Sequence, residues 1–336
     1  MKVLFVGAGE VESLLPMADC IGVMERTLRQ MARGEATFPP RSVMSLPRGI
    51  GVLGLMPGSV GADELMGLKA VSVFPSNEGT PYESHQGVVL VFETRHGSLR
   101  GVVDAGSITK IRTAAVSGVA TNVLARKDVR ELAILGSGTQ AISHLDAMLA
   151  VRPFLQKVRV QSRNPANAKS FALTESSIRN LEIQAVSEAK EAVKGADIVC
   201  TTTASKTPVL SGSWLDPGTH VNAVGASRQP SRELDTEAVA RSRFYVDSRQ
   251  SAFLESSDFL VPKSEGAVND GHILGEIGEV LEGKVAGRLE PDDITVFKSL
   301  GLAIEDLAAA QSVLSKASST GAGTWLDFGS ERRLAT

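Results

Sequence analysis

The 336-residue chain is 43% hydrophobic and 22% charged, with a formal net charge of −3. This is the composition of an ordinary globular protein, long enough for two domains and a large core. It gives no electrostatic reason to bind nucleic acid or an anionic membrane surface. No apolar run reaches the roughly 18 residues a membrane helix needs, and two distant cysteines, Cys20 and Cys200, suit a reducing, cytoplasmic setting.

In chain order, Val3-Leu4-Phe5-Val6 reads as a strand and runs into Gly7-Ala8-Gly9. The third small position of a cofactor turn would fall on Glu12, which cannot pack a helix on a strand, and Pro16 follows closely. The segment is therefore a strand and turn leading to a helix over 16–33, without a cofactor role. The loop over 34–47 carries Pro39-Pro40-Arg41; Arg41 is either preorganised for a carboxylate or a plain exposed loop charge. Short strands follow at 51–56, 65–74, 87–93 and 99–104, the last two joined as a hairpin through 96–98. Lys69 lies inside one of these apolar strands. Spacing alone favours a snorkelling edge lysine over a partly buried amine with a lowered pKa, able to act as an acid. A helix of small residues over 107–124 carries Arg112 near its start, where it could face an anion.

The stretch over 131–164 has the strongest pattern. A strand at 131–135 leads into Gly136-Ser137-Gly138-Thr139-Gln140-Ala141, which fits G-x-G-x-x-A. A helix with Ile142, Leu145 and Leu149 on one side and a strand at 158–161 complete a dinucleotide-binding βαβ unit. Gly136 permits the tight turn, Gly138 lets backbone approach a pyrophosphate, and Ala141 lets the helix pack. The helix start at Thr139 and Gln140 offers N–H groups to phosphates. NAD sites usually place an acid after the second strand. Here the run is Gln161-Ser162-Arg163-Asn164, with Asn167 soon after, and no carboxylate to repel a 2′-phosphate. NADP(H) is favoured, with NAD(H) still open.

Beyond it, helices are expected at 166–173 and 187–194, and strands at 183–186, 196–203 and 220–227. The strand at 196–203 ends in hydroxyls, so Thr201 and Thr203 are candidates to line the cofactor crevice. The strand at 243–247 reads as the last of this domain, 255–258 as a loop and 272–283 as a helix. A strand or turn at 295–298 precedes a helix with Ile304, Leu307, Ala308, Gln311 and Leu314 on one face, returning to the first domain. The tail after Ala317 reads as flexible, apart from a docked segment around Trp325 and Phe328. There is no zinc spacing, no G-x-S-x-G, no P-loop and no H-E-x-x-H; no metal site is expected, and His85 and His220 stand alone. The residues by themselves support a nicotinamide oxidoreductase with Arg41, Lys69 and Arg112 available for an acidic substrate. The alternative of another class is a non-catalytic protein that binds NADP or another ligand.

Several stretches together resemble one family. They are Leu68-Lys69-Ala70, Ser84-His85-Gln86-Gly87, Ile111-Arg112-Thr113-Ala114-Ala115, the glycine turn at 135–141, Asn222-Ala223-Val224-Gly225-Ala226-Ser227-Arg228 with Arg232-Glu233-Leu234-Asp235, and Thr295-Val296-Phe297-Lys298-Ser299-Leu300-Gly301. From near the N-terminus to about Ala317 the chain resembles the ornithine cyclodeaminase/mu-crystallin family. The resemblance implies an α/β fold: a Rossmann domain, set at 113–294, and a discontinuous α+β dimerisation and substrate domain, set at 1–112 and 295–330. It implies a homodimer acting on a small imino or amino acid. It also implies that Arg41 and Arg112 bind the substrate carboxylate, that Arg112 also contacts the cofactor, and that Lys69 lies beside the reacting centre. Ser84 and His85 would border the nicotinamide, with Thr203, Val224, Ser227 and Leu300 along the cofactor. Cyclodeaminases of the family carry an acid after the V-G-G segment, where this chain reads Gly225-Ala226-Ser227-Arg228. That departure resembles the mu-crystallin and ketimine-reductase branch. The expected activity is reduction of a cyclic ketimine carboxylate, Δ1-pyrroline-2-carboxylate or Δ1-piperideine-2-carboxylate, to L-proline or L-pipecolate. Ornithine cyclodeaminase and an alanine dehydrogenase type of deamination are the alternatives.

Overall fold

The computed structural model describes residues 2–77 and 79–329. The chain divides into two compact units, one formed by Met1–Arg112 and Leu302–Thr336, the other by Thr113–Gly301. In the first, β1 (Lys2–Val6) leads through α1 (Ala8–Leu14) into α2 (Met17–Ala32). Strands β2 (Ala36–Thr37), β3 (Ser42–Ser45), β4 (Val52–Val60), β5 (Leu65–Val73), β6 (His85–Glu93) and β7 (Leu99–Asp104) follow. The glycines at 7–9 thus start a short helix rather than a nucleotide turn. The Glu10 carboxylate accepts the Gly7 N–H at 3.0 Å and closes that turn.

Helix α3 (Ala105–Leu124) comes next, then the βαβ unit: β8 (Glu131–Leu135), α4 (Thr139–Val151) and β9 (Lys157–Gln161). The second unit continues with α5 (Pro165–Arg179), β10 (Glu182–Ala185), α6 (Ala189–Val193), β11 (Ile198–Thr201), β12 (His220–Ala223), α7 (Thr236–Ala240) and β13 (Arg243–Val246). It closes with α8 (Arg249–Glu255), α9 (Ser257–Ser264), β14 (Ile273–Glu276), α10 (Ile277–Leu281) and β15 (Thr295–Lys298). The sheet order is β10-β9-β8-β11-β12-β15-β13-β14, and every pair is parallel. This is a doubly wound dinucleotide-binding sheet, with β8 where the strand order reverses. Strands β11, β12 and β15 are buried at every position, because a parallel sheet is covered on both faces.

The strand at 243–247 is not the last of the sheet, since β14 and β15 flank it. The expected helix at 272–283 is a strand followed by a short helix, and Gly275 has no room for a side chain beside Val285. Residues 295–298, expected in the discontinuous domain, form β15, which pairs with both β12 and β13. A short apolar run does not say which sheet it will join.

The chain then returns to the first unit as α11 (Ala303–Thr320) and β16 (Thr324–Asp327). Of the tail after Ala317, 318–320 finish α11 and β16, which includes Trp325, docks antiparallel on β1; 330–336 lie outside the described residues. The first sheet runs β16-β1-β7-β6-β5-β4-β2, with β3 also on β4. Helix α11 packs on one face because glycines make room for it. A Cβ on Gly67 would lie 2.7 Å from Leu307 Cδ2, and one on Gly101 2.3 Å from Leu314 Cδ2. On the opposite face Leu55, Ala70 and Val88 share a row across β4, β5 and β6, and Leu55 and Val88 are exposed. Among the described residues no helix is long and apolar enough to cross a membrane, and no cluster of three or more His, Cys, Asp or Glu could hold a metal ion.

Candidate functional site

Lys69 is not an edge residue. It sits on β5, between β4 and β6, with its side chain on the α11 face and 3% exposed. Its Nζ lies 2.7 Å from Asp306 Oδ2 and 3.4 Å from Thr109 Oγ1. Arg112, 4% exposed on α3, is forked across the same helix: Nε donates to Asp306 Oδ1 at 2.8 Å and Nη1 to Glu305 Oε2 at 2.7 Å. Two cations thus meet two fully buried carboxylates. An assembly this dry persists only because each charge is paired; removing one partner leaves a buried ion unpaired.

The charges set each other's ionisation. Burial lowers the Lys69 ammonium, Asp306 raises it, and Arg112 and the half-buried Arg41 lower it again, leaving it at about 8. Burial pushes the Asp306 carboxyl up, but Arg112 and Lys69 outweigh that and hold it below its ordinary value. The result is an ammonium that is mostly protonated near neutrality yet close to releasing its proton, as a general acid requires. Ser84 and His85 stand at the start of β6, with Ser84 Oγ 3.0 Å from His85 Nδ1.

In the second unit the glycine turn follows β8. Gly136 has φ +117, a conformation L side chains rarely adopt, and a Cβ there would meet Thr202 Oγ1 at 2.7 Å. Gly138, the N-cap of α4, has open space where its Cβ would be. Thr139 and Gln140 form the first turn of α4, which holds no acidic residue. A turn with no side chain at Gly136 or Gly138, at the start of a 13-residue helix, fits a pyrophosphate. At the end of β9, Ser137 Oγ donates to Ser162 Oγ at 2.9 Å and Arg163 is exposed. Asn164 Oδ1 caps α5 by accepting the Ala166 N–H at 3.0 Å, and Asn167 is exposed in that first turn.

Other candidates are occupied by the fold. Thr201 is fully buried and its hydroxyl donates to Glu233 Oε2 at 2.9 Å; Thr203 donates to Glu233 Oε1 through Oγ1 at 2.7 Å. Their hydroxyls hold a carboxylate rather than standing open to the crevice. Val224 and Leu300 are buried and Ser227 is half-buried. His220 is a buried structural histidine bonded to Thr295 and Asn222. Both cysteines are buried, and burial pushes each thiol up to about 12.

The reading of the sequence missed Glu305, Asp306 and Glu233 as working groups. A signal existed, since Glu305 and Asp306 interrupt an otherwise apolar helix face. Acidic residues in a helix's first turn are also what the macrodipole favours, so the pattern had a second explanation.

Comparison with known proteins finds relatives along nearly the whole chain. The model of the ornithine cyclodeaminase/mu-crystallin family matches residues 1–321. The chain is 38% identical over 313 residues to the ketimine reductase mu-crystallin of Mus musculus, covering 92% of this chain and 96% of that protein. It superposes with a TM-score of 0.93 on the Δ1-pyrroline-2-carboxylate reductase of Thermococcus litoralis in complex with NADH and L-proline, at 36% identity, covering 96% of this chain and 99% of that one. An archaeal alanine dehydrogenase dimer with bound NAD superposes with a TM-score of 0.92 at 31% identity, covering 98% of this chain and all (100%) of the other.

Proposed function

The chain belongs to the ornithine cyclodeaminase/mu-crystallin family, and on that footing we propose that it reduces a cyclic ketimine carboxylate, Δ1-pyrroline-2-carboxylate or its six-membered homologue, to the L-amino acid. The observation that carries the reading is the Lys69 ammonium, buried and held on Asp306 beside Arg112. A bound nicotinamide cofactor, once reduced, supplies the hydride for the C=N carbon.

The chain's own residues do the rest. Lys69, at about 8, keeps the ring nitrogen protonated or donates to it, which makes the imine the better electrophile. Arg112 cannot meet a carboxylate as an isolated charge, because Glu305 and Asp306 already engage its fork. Its part is to hold Asp306 and to add positive potential. Arg41 brings a further positive charge close enough to be felt at Lys69, which suits orientation of an anionic substrate. The absence of an acid in Gly225-Ala226-Ser227-Arg228 argues against amine chemistry on ornithine.

NADPH is the preferred cofactor in this reading. The loop after β9 has no carboxylate, and it offers the exposed Arg163 guanidinium and the Ser162 hydroxyl to a 2′-phosphate. Asn164 contributes less than its sequence suggests, because its side-chain oxygen is the α5 cap. A second copy of the chain covers the open face of the first sheet, where Met44, Leu55 and Val88 are exposed. An apolar patch of this kind on a strand surface marks an interface.

The test is oxidation of NADPH and of NADH with freshly prepared Δ1-pyrroline-2-carboxylate. Turnover, faster at low NADPH than at low NADH, is expected. No turnover with either cofactor, together with ammonia release from ornithine, overturns the assignment.

A further inference from the structure

Buried carboxylates tie together the C-terminal ends of the parallel strands in the second unit. In a doubly wound sheet the ligand crosses those ends, with pyrophosphate at the glycine turn and the adenosine ribose toward the next strand on one side. Here that side is β9, so the nicotinamide half runs the other way, over the turns after β11 and β12.

One side chain joins those two turns. Glu233, fully buried, accepts the Thr203 N–H at 2.6 Å and the Thr203 hydroxyl at 2.7 Å on Oε1. On Oε2 it accepts the Thr201 hydroxyl at 2.9 Å, the Gly225 N–H at 2.7 Å and the Ala226 N–H at 3.2 Å. All these groups donate, so only an acceptor-only carboxylate satisfies them together. The junction is tight as well. A Cβ on Gly225 would lie 2.0 Å from Thr203 O and 2.6 Å from Glu233 Oε1. Glu233 is itself fixed from behind. Its N–H and that of Leu234 both donate to Asp258 Oδ1 at 2.8 Å, and Asp258 Oδ2 pairs with Lys298 Nζ at 3.0 Å, at the end of β15. Helix packing alone does not call for a carboxylate that gathers donors from two loops and is anchored to a third strand.

We propose that Glu233 is the positioning residue for the nicotinamide half of the cofactor, setting the spacing of the turns after β11 and β12. The proposal rests on the reading of this chain as a nicotinamide enzyme. Glu233→Gln keeps the shape but places an amide donor against an N–H or a hydroxyl. Thr201→Val removes one of the five donors and spares the rest.

The test is calorimetric binding to the full chain of NADPH and of 2′-phospho-ADP-ribose, which lacks the nicotinamide. Glu233→Gln should weaken NADPH about tenfold or more, the loss of one or two charge-assisted hydrogen bonds, and change the fragment by less than about twofold. Thr201→Val should show a smaller loss with the same selectivity, and it decides the matter if Glu233→Gln does not fold. Equal weakening of both ligands, or none, overturns the proposal, because a merely structural carboxylate would not distinguish them. Selective loss in a chain that does not reduce Δ1-pyrroline-2-carboxylate overturns the substrate and leaves Glu233 in place. Reduction without selective loss does the reverse.

Discussion

Replacing Asp306 with asparagine tests the pairing at the centre of the first unit. The carboxylate lies 2.7 Å from Lys69 Nζ and 2.8 Å from Arg112 Nε, fully buried. Lys69 stands at about 8 because burial lowers it while Asp306 opposes that fall. An opposite charge in contact is worth about 1–3 pKa units, or about 1.4–4 kcal/mol. Without it, and with Arg112 still present, the ammonium should titrate at about 5–7. At pH 7 it would then be at most about half protonated, against about nine-tenths in the parent chain. The assay is kcat/KM for imine reduction as a function of pH. In the parent chain the rate should fall as pH rises through about 8. In Asp306→Asn the same fall should appear about one to three units lower. The substrate's own ionisation cannot move when the enzyme is changed, so any displacement reports a group on the protein. The variant leaves Arg112 and Lys69 short of a partner and should unfold more easily, by about 3–5 kcal/mol, so the profile is taken well below its melting temperature. A limb that stays at the same pH refutes Lys69 as the acid that Asp306 controls.

Other outcomes follow from separate parts of the structure. Arg163→Ala should raise KM for NADPH severalfold and leave KM for NADH nearly unchanged; equal effects on the two cofactors would show that Arg163 does not meet the 2′-phosphate. Gly136→Ala forces a side chain onto φ +117 and against Thr202, so both stability and cofactor affinity should drop; wild-type nucleotide binding would contradict the close approach inferred there. His144 and His220 are buried neutral, at about 4 and about 3, because burial opposes their charging. The unfolded chain takes up these protons near pH 6.5 and the folded chain does not, so stability is complete above about 6.5 and declines toward pH 4 and 3, by about 3 kcal/mol for His144 alone. Urea midpoints that stay level from pH 7.5 to 4.5 would refute this.

Much of the second unit was legible because its signals are local. The turn at Gly136 and Gly138 declares itself within a few residues, as does the missing acid after β9, since phosphate binding depends on backbone freedom and nearby charge. Alternating strands and the small-residue helix α3 were readable for the same reason. What the sequence could not settle was which distant groups meet. The spacing around Lys69 is that of any lysine in a strand. Its burial follows from β5 lying inside the sheet and from α11 returning with Asp306, a contact made only after the whole second unit has been traversed. Arg112 was recognisable as a cation, but not as one already forked on two carboxylates. The hydroxyls of Thr201 and Thr203 looked available until folding brought Glu233 between them. Residues 295–298 joined the second sheet because β12 and β13 left a strand's width between them, and nothing in Thr295-Val296-Phe297-Lys298 records that gap. Local sequence determines backbone conformation and the chemistry each side chain can offer. Only the tertiary fold decides which charges lose their water together, and that desolvation sets the ionisation of Lys69 and the work left to Glu233.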